Sequence, residues 1–168
     1  MLLHEFYDDL YPNTGFYKSR KTVRALVFND KGELGMMHVK ATDIFGERDH
    51  FETPGGGIEH HEDRMLALHR EIEEELGYTC IIDEYLGLVI NRYNLIGVIT
   101  AHHFFVCHLD KKKSANWTDE EKFFFEGVVW KTPEEWIDVF TEEVTKVNKL
   151  VHERELFMIQ YYLDQQGK

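Results

Sequence analysis

The chain has 168 residues, 43% hydrophobic and 30% charged, which suits one globular domain with ample material for a core and excludes a disordered segment. Its formal charge of −12 and pI near 5.2 repel nucleic-acid phosphates at long range and speak against non-specific DNA or RNA binding. An acidic chain still binds phosphates where metal ions or a local cluster of cations reverse the sign.

The first 20 residues form a leader with turn formers at Pro12, Asn13 and Gly15, and without the basic and apolar regions of a signal peptide. Thr22 to Phe28 reads as a strand, Asn29 to Gly32 as a hairpin turn and Leu34 to Val39 as the returning strand. Phe51 to Thr53 is short and extended, and it stops at Pro54-Gly55-Gly56-Gly57. Glu62 to Leu76 has helical periodicity, with Met65, Leu68, Ile72 and Leu76 on one stripe expected to be buried. Two β-type runs follow, about Thr79 to Asn91 and Gly97 to Leu109, and Lys122 to Trp130 is a further strand candidate. Thr132-Pro133 marks a helix start, and a final helix is expected from Glu143 to Leu163. Strands, a helix, more strands and then helices make an α/β domain: a curved sheet with helices packed on its faces. The most apolar window, Leu86 to Val106, is interrupted by Asn91, Arg92, Asn94, His102 and His103, too polar to span a bilayer, so no membrane role and a cytoplasmic location are expected. Cys80 and Cys107 lack C-x-x-C spacing and are expected as buried free thiols.

The segment from Pro54 to Gly77 carries the chemistry. On a helix, Glu71, Glu74 and Glu75 share an arc beside the apolar stripe, because residues i, i+3 and i+4 lie on one face. Like charges at that spacing destabilise a helix, and a hard divalent cation with oxygen ligands removes the conflict. Arg70 beside them can orient one carboxylate or contact phosphate. The bland reading of such a run is a solvated helix face, and the longer spacing decides against it. Gly56, five residues, Glu62, seven residues, Arg70-Glu71-Ile72, one residue, Glu74-Glu75, one residue and Gly77 matches seven fixed positions. Chance gives that about 10⁻⁹ per starting point.

That spacing resembles the signature box of the Nudix hydrolase family, here Gly56 to Tyr78, with Tyr78 where the family has an aliphatic residue. The resemblance implies a Nudix-type α/β/α sandwich with a mixed β-sheet and a loop-helix-loop catalytic segment. It makes residues 1–168 a single domain, with the leader 1–20 and the helix 143–168 as additions that either cap the sheet or mediate a homodimer. It implies Mg2+ (or Mn2+) held by Glu71, Glu74, Glu75 and the Gly55 carbonyl, with Glu62 and Arg70 organising the cluster and Gly56 and Gly77 permitting tight turns. The reaction it implies is hydrolysis of a diphosphate linkage in a nucleotide-like small molecule: a nucleoside triphosphate, a nucleotide sugar or a dinucleotide. The base that holds the attacking water is left open between Glu71 or Glu74 in the box and Glu120, Glu121 or Glu126 beyond it. Phe51, Tyr93 and Trp117 are candidates to stack a base, and His60 and His61 to contact phosphate, although such residues are more often structural. A catalytically silent Nudix-fold module is the alternative, and the intact glutamates argue against it. An isomerase of isoprenyl diphosphates lacks a catalytic-cysteine context at Cys80 or Cys107.

Overall fold

The computed structural model describes residues 1–142 and 145–167, with the side chains of Glu120 and Phe123 left out of the description. The chain runs β1 (Leu2–Tyr7), β2 (Lys18–Phe28), β3 (Leu34–Asp43), β4 (Gly46–Glu52), β5 (Gly55–Gly57), α1 (Arg64–Leu76), β6 (Tyr78–Tyr93), β7 (Val98–Lys112), α2 (Asp119–Phe124), β8 (Phe125–Lys131), α3 (Pro133–Thr141) and α4 (Lys149–Gln166). The strands pair in the order β1-β6-β7-β2-β3-β4, with β5 added to β2 and β8 to β3. β1 with β6 and β2 with β7 are parallel, and the other pairs are antiparallel, so the sheet is mixed.

One feature of the pairing positions everything functional. β2 and β3 pair only at the mouth of their hairpin, Val27 with Gly35 and Phe28 with Leu34. Further along, β2 takes β5 as its neighbour, while β3 takes β4 on one edge and β8 on the other. The sheet forks there, and a cleft opens in the fork.

Alternation along β2 sends side chains to two dry layers. Val23, Ala25 and Val27 pack with Ala67, Leu68 and Ile72 of α1, whereas Leu26 and Phe28 pack with Trp136, Met158 and Ile159 of α3 and α4. Helices cover both faces of the sheet, which makes the α/β/α sandwich. Trp136 is fully buried, and its indole N–H donates to the Leu34 carbonyl at 2.8 Å, so its burial leaves no polar atom unmet. No helix among the described residues is long and apolar enough to cross a membrane.

Several boundaries differ from the sequence reading, each for a local reason. The first helix starts at Arg64 rather than Glu62, because the Asp63 carboxylate accepts from the Met65 N–H as N-cap. It stops at Gly77, which takes the left-handed conformation (φ 71°). Met65, expected inside, is 44% exposed; the buried face is Ala67, Leu68, Ile72 and Leu76, shared with Glu71 and Glu75. Lys122 to Phe124 is helical rather than extended. Thr118 and Glu121 form a capping box, the Thr118 hydroxyl accepting from the Glu121 N–H and the Glu121 carboxylate from the Thr118 N–H. The last helix begins at Lys149, after a turn closed by the Asn148 N–H on the Thr145 carbonyl; Glu143 and Val144 lie outside the described residues. The leader contributes β1, and the short extended segment at Phe51 is a full strand from Gly46.

Candidate active site

The triple glycine is a strand rather than a turn. Gly55 has φ 141°, and a side chain there would meet the Val23 carbonyl 2.1 Å from its Cβ. At Gly56 a Cβ would lie 2.5 Å from the Glu71 carboxylate. The bare strand is therefore a window through which carboxylates of α1 reach the cleft. The strained backbone falls at Gly55, one residue before the position expected from the box; Gly56 supplies close approach instead.

Glu71 and Glu75, one helical turn apart, are 5% and 3% exposed. The Gly55 N–H donates to Glu75 Oε2 at 2.8 Å. Glu121, delivered by α2, joins them: one carboxylate oxygen from each of Glu71, Glu75 and Glu121 lies within 4.8 Å of the others. Burial pushes Glu71 up, and neighbouring Glu74 and Glu121 add to this against the pull of Arg70. Burial raises Glu75 well above the carboxylate range, with Glu71 and Glu52 pushing the same way against the Gly55 amide and Arg24. Glu71 and Glu75, forced together with too little counter-charge, are oxygen donors for a hard cation such as Mg2+, and the Glu121 carboxylate stands beside them.

Arg70 is the organiser. Its Nε and Nη2 donate to the two oxygens of Glu62, both at 2.9 Å, its Nη1 to Glu71 at 2.7 Å, and Nη2 also to the Gly57 carbonyl at 3.1 Å. Arg70 and the Glu59 N–H hold Glu62 down at about 2. Glu74 stands outside the three-carboxylate group, a third exposed, with its carboxylate 3.4 Å from Arg70 Nη1. Of the outer glutamates, Glu126 is exposed on β8, Glu121 lines the cleft, and the Glu120 side chain is outside the description.

The cleft has a volume of about 530 Å³. Period-two alternation on β2 aims Lys18, Arg20, Thr22 and Arg24 into it, and Val98, Thr100 and His102 of β7 stand beside them in register. Its floor is a buried charge network. Arg24 Nη2 lies 3.5 Å from Glu52, and Arg154 of α4 lies 3.7 Å from Glu52 and bonds Glu155 through Nε at 3.0 Å. Burial alone would raise Glu52, but Arg24, His50 and Arg154 outweigh it and keep the carboxyl well below its usual range. A chain of net charge −12 has thus gathered cations around one cleft.

Other sequence candidates lie elsewhere. Tyr93 lines the cleft, but Phe51 packs on His38 and Trp136, and the Trp117 indole donates to the Glu75 carbonyl at 2.9 Å. His60 and His61 are exposed at a separate depression with Lys21, Arg64 and His103. His102 faces the cleft and His103 the other depression, and Cys80 and Cys107 are buried free thiols. Arg24, Glu52 and Arg154 were not singled out from sequence. The cationic alternation of β2 was a readable signal for the first; nothing local marks Arg154.

Comparison with known proteins fits this geometry. The NUDIX domain family model matches residues 18–153. No curated protein gives a significant match. Among solved structures, the E. coli ORF135 protein is 25% identical with a TM-score of 0.54, over 72% of this chain and 79% of that one. A NUDIX hydrolase from Nitrosomonas europaea is 17% identical with a TM-score of 0.66, over 87% and 89%. A protein described as an ADP compounds hydrolase is 18% identical with a TM-score of 0.61, over 88% and 75%.

Proposed function

The chain belongs to the Nudix family of hydrolases acting on phosphoanhydride bonds, and we propose that it is a divalent-metal-dependent pyrophosphohydrolase. Its substrate is a nucleoside diphosphate joined to another group: a nucleoside triphosphate, a nucleotide sugar or a dinucleotide. The observation that carries this reading is the meeting of the Glu71, Glu75 and Glu121 oxygens within 4.8 Å at the glycine strand, on the edge of a cation-walled cleft. The neighbour described as an ADP compounds hydrolase is consistent with a nucleotide-like ligand. Two free buried cysteines suit a reducing, cytoplasmic setting.

Glu71 and Glu75 would hold Mg2+ or Mn2+, with Glu74 and the Gly55 carbonyl completing the set as the family resemblance implies. The ion, when bound, neutralises charge developing on the diphosphate and its leaving group. Arg70, clamped by Glu62, fixes the Glu71 carboxylate. Glu121 is the general base. Of the described distal glutamates it alone lines the cleft, and it comes from an element independent of α1. It accepts the proton of the water that attacks phosphorus in line. Arg20, whose Nη2 lies 3.9 Å from where a Gly57 Cβ would stand, steadies the diphosphate at the window.

The experiment is phosphate or nucleotide release from nucleoside triphosphates, nucleotide sugars, ADP-ribose, NADH and dinucleoside polyphosphates, with and without Mg2+. Metal-dependent cleavage of one compound well above the rest is expected. No cleavage of any compound, with Mg2+ bound, would leave a binding module in its place.

A further inference from the structure

At the floor of the cleft one hydrogen-bond chain has a fixed direction. Arg154 Nη1 lies 3.4 Å from His102 Nε2, and Arg154 is 1% exposed. A guanidinium only donates, so His102 Nε2 is the acceptor and, in a neutral ring, the proton sits on Nδ1. The ring is neutral: burial, then Arg154 and Arg24, hold His102 well below the imidazole range. Nδ1–H therefore donates to Thr22 Oγ1, 2.7 Å away. The Thr22 hydroxyl is thus an acceptor toward the protein and keeps its own proton to give. Among the described residues nothing takes it. Two residues along the same strand face, Arg24 Nε is buried and likewise has no partner among the described residues.

An unmet donor in a buried wall is costly until a ligand supplies the acceptor. Thr22 is 3% exposed and lines the cleft. β7, which carries His102, lies on the side of β2 opposite the glycine strand. The Thr22 oxygen thus faces His102 across the β2–β7 pairing and its proton is left to the cleft, whose lining includes Tyr93, Val98, Leu150 and Val151. An aromatic and aliphatic wall suits a planar ring better than a phosphate.

We propose that Thr22 is a specificity-determining residue whose hydroxyl donates to a carbonyl on the substrate's base, so that the cleft prefers an oxo base over its amino counterpart. Arg154 and His102 are positioning residues, since they set the polarity of that hydroxyl. The inference rests on the pyrophosphohydrolase reading for the presence of a base, and its test is made independent of turnover.

The test is calorimetric binding of inosine monophosphate and adenosine monophosphate, whose bases exchange a carbonyl for an amino group, to the full chain with Mg2+. The uridine and cytidine monophosphates make a second such pair. Wild type should bind the oxo member about tenfold or more tightly. Thr22→Val, or Thr22→Ala if valine disturbs the fold, should weaken the oxo ligand alone and bring the ratio near one. Thr22→Ser should keep it. Equal affinities in the wild type, a preference that survives loss of the hydroxyl, or equal weakening of both members would overturn the proposal. So would failure of every monophosphate to bind. Failure of the hydrolase reading would show instead as no cleavage in the substrate panel, with binding unaffected.

Discussion

The two charge clusters that meet in the cleft are built on opposite principles. At the glycine window, Glu71 and Glu75 are buried, and burial drives both upward against Arg70 at the first and Arg24 and the Gly55 amide at the second. At the floor, the fully buried Glu155 and the less deeply buried Glu52 are matched by Arg154 and Arg24, and Glu52 stays ionised. The first cluster is incomplete without something from outside, whereas the second neutralises itself. A ligand can gain more from completing the first, and the second serves better for discrimination.

The largest effect should come from breaking the incomplete cluster. Glu75→Gln keeps size and leaves an oxygen to accept from the Gly55 N–H, but removes the charge. Turnover should fall by about three orders of magnitude. The metal-free protein should meanwhile melt at a higher temperature, because a destabilised buried carboxylate is gone, and the stabilisation by Mg2+ should shrink. A variant that melts lower, or that turns over normally, would contradict the account of this cluster.

The self-neutralising cluster should answer with the opposite sign. Arg154→Met leaves Glu155, fully buried, without its cation and Glu52 with Arg24 alone, and should cost about 3–5 kcal/mol in urea unfolding. Adding Glu155→Leu should recover part of that loss, since the two sites are coupled. An Arg154→Met protein as stable as the wild type would erase the contrast between the clusters.

Why one cluster was legible and the other was not follows from where the residues sit in the chain. Glu62, Arg70, Glu71, Glu74 and Glu75 belong to one loop and helix, so their chemistry imposes a spacing within a short segment. Thr22, Glu52, His102 and Arg154 come from β2, β4, β7 and α4, and only the forked sheet brings them together. Arg154 and Glu155 also lie on the buried face of α4, where hydrophobic periodicity assigns no polar residue. Glu121 could not be separated from Glu120 and Glu126 because sequence carries no distance. The Phe-rich run after it read as strand until the Thr118 cap overrode that propensity.

A smaller effect sits next to the floor. His152 packs against Phe140 and His50, neither of its nitrogens has a partner among the described residues, and burial lowers it to about 4. The unfolded chain takes up that proton near the ordinary imidazole value of ~6.5, so the contribution is complete above ~6.5 and is lost as pH falls toward 4. The loss should be about 2–3 kcal/mol. Glu75 acts in the reverse sense, its raised folded value favouring stability on the acid side. Denaturant midpoints at pH 7.5, 5.5 and 4.5 should show the acid limb flatten in His152→Phe and steepen in Glu75→Gln. Parallel limbs in all three proteins would remove both assignments.

The smallest effect tests how Glu121 is delivered. Its carboxylate both reaches the cluster and caps α2 through the Thr118 N–H at 2.7 Å. Thr118→Ala removes the hydroxyl that receives the Glu121 N–H and should loosen this short helix by about 1 kcal/mol. The carboxylate remains but is held less firmly, so kcat should fall only a few-fold and recover partly on cooling, with Mg2+ affinity unchanged. Glu121→Gln preserves the capping box, since glutamine also serves at that position, and removes the base. It should cost far more in kcat than Thr118→Ala, again at constant Mg2+ affinity. If Glu121→Gln weakened Mg2+ in proportion to the rate, the side chain would be a ligand, and the base would have to be sought in the box. If instead the two variants lost the same few-fold, Glu121 would matter for the shape of α2 and for nothing else.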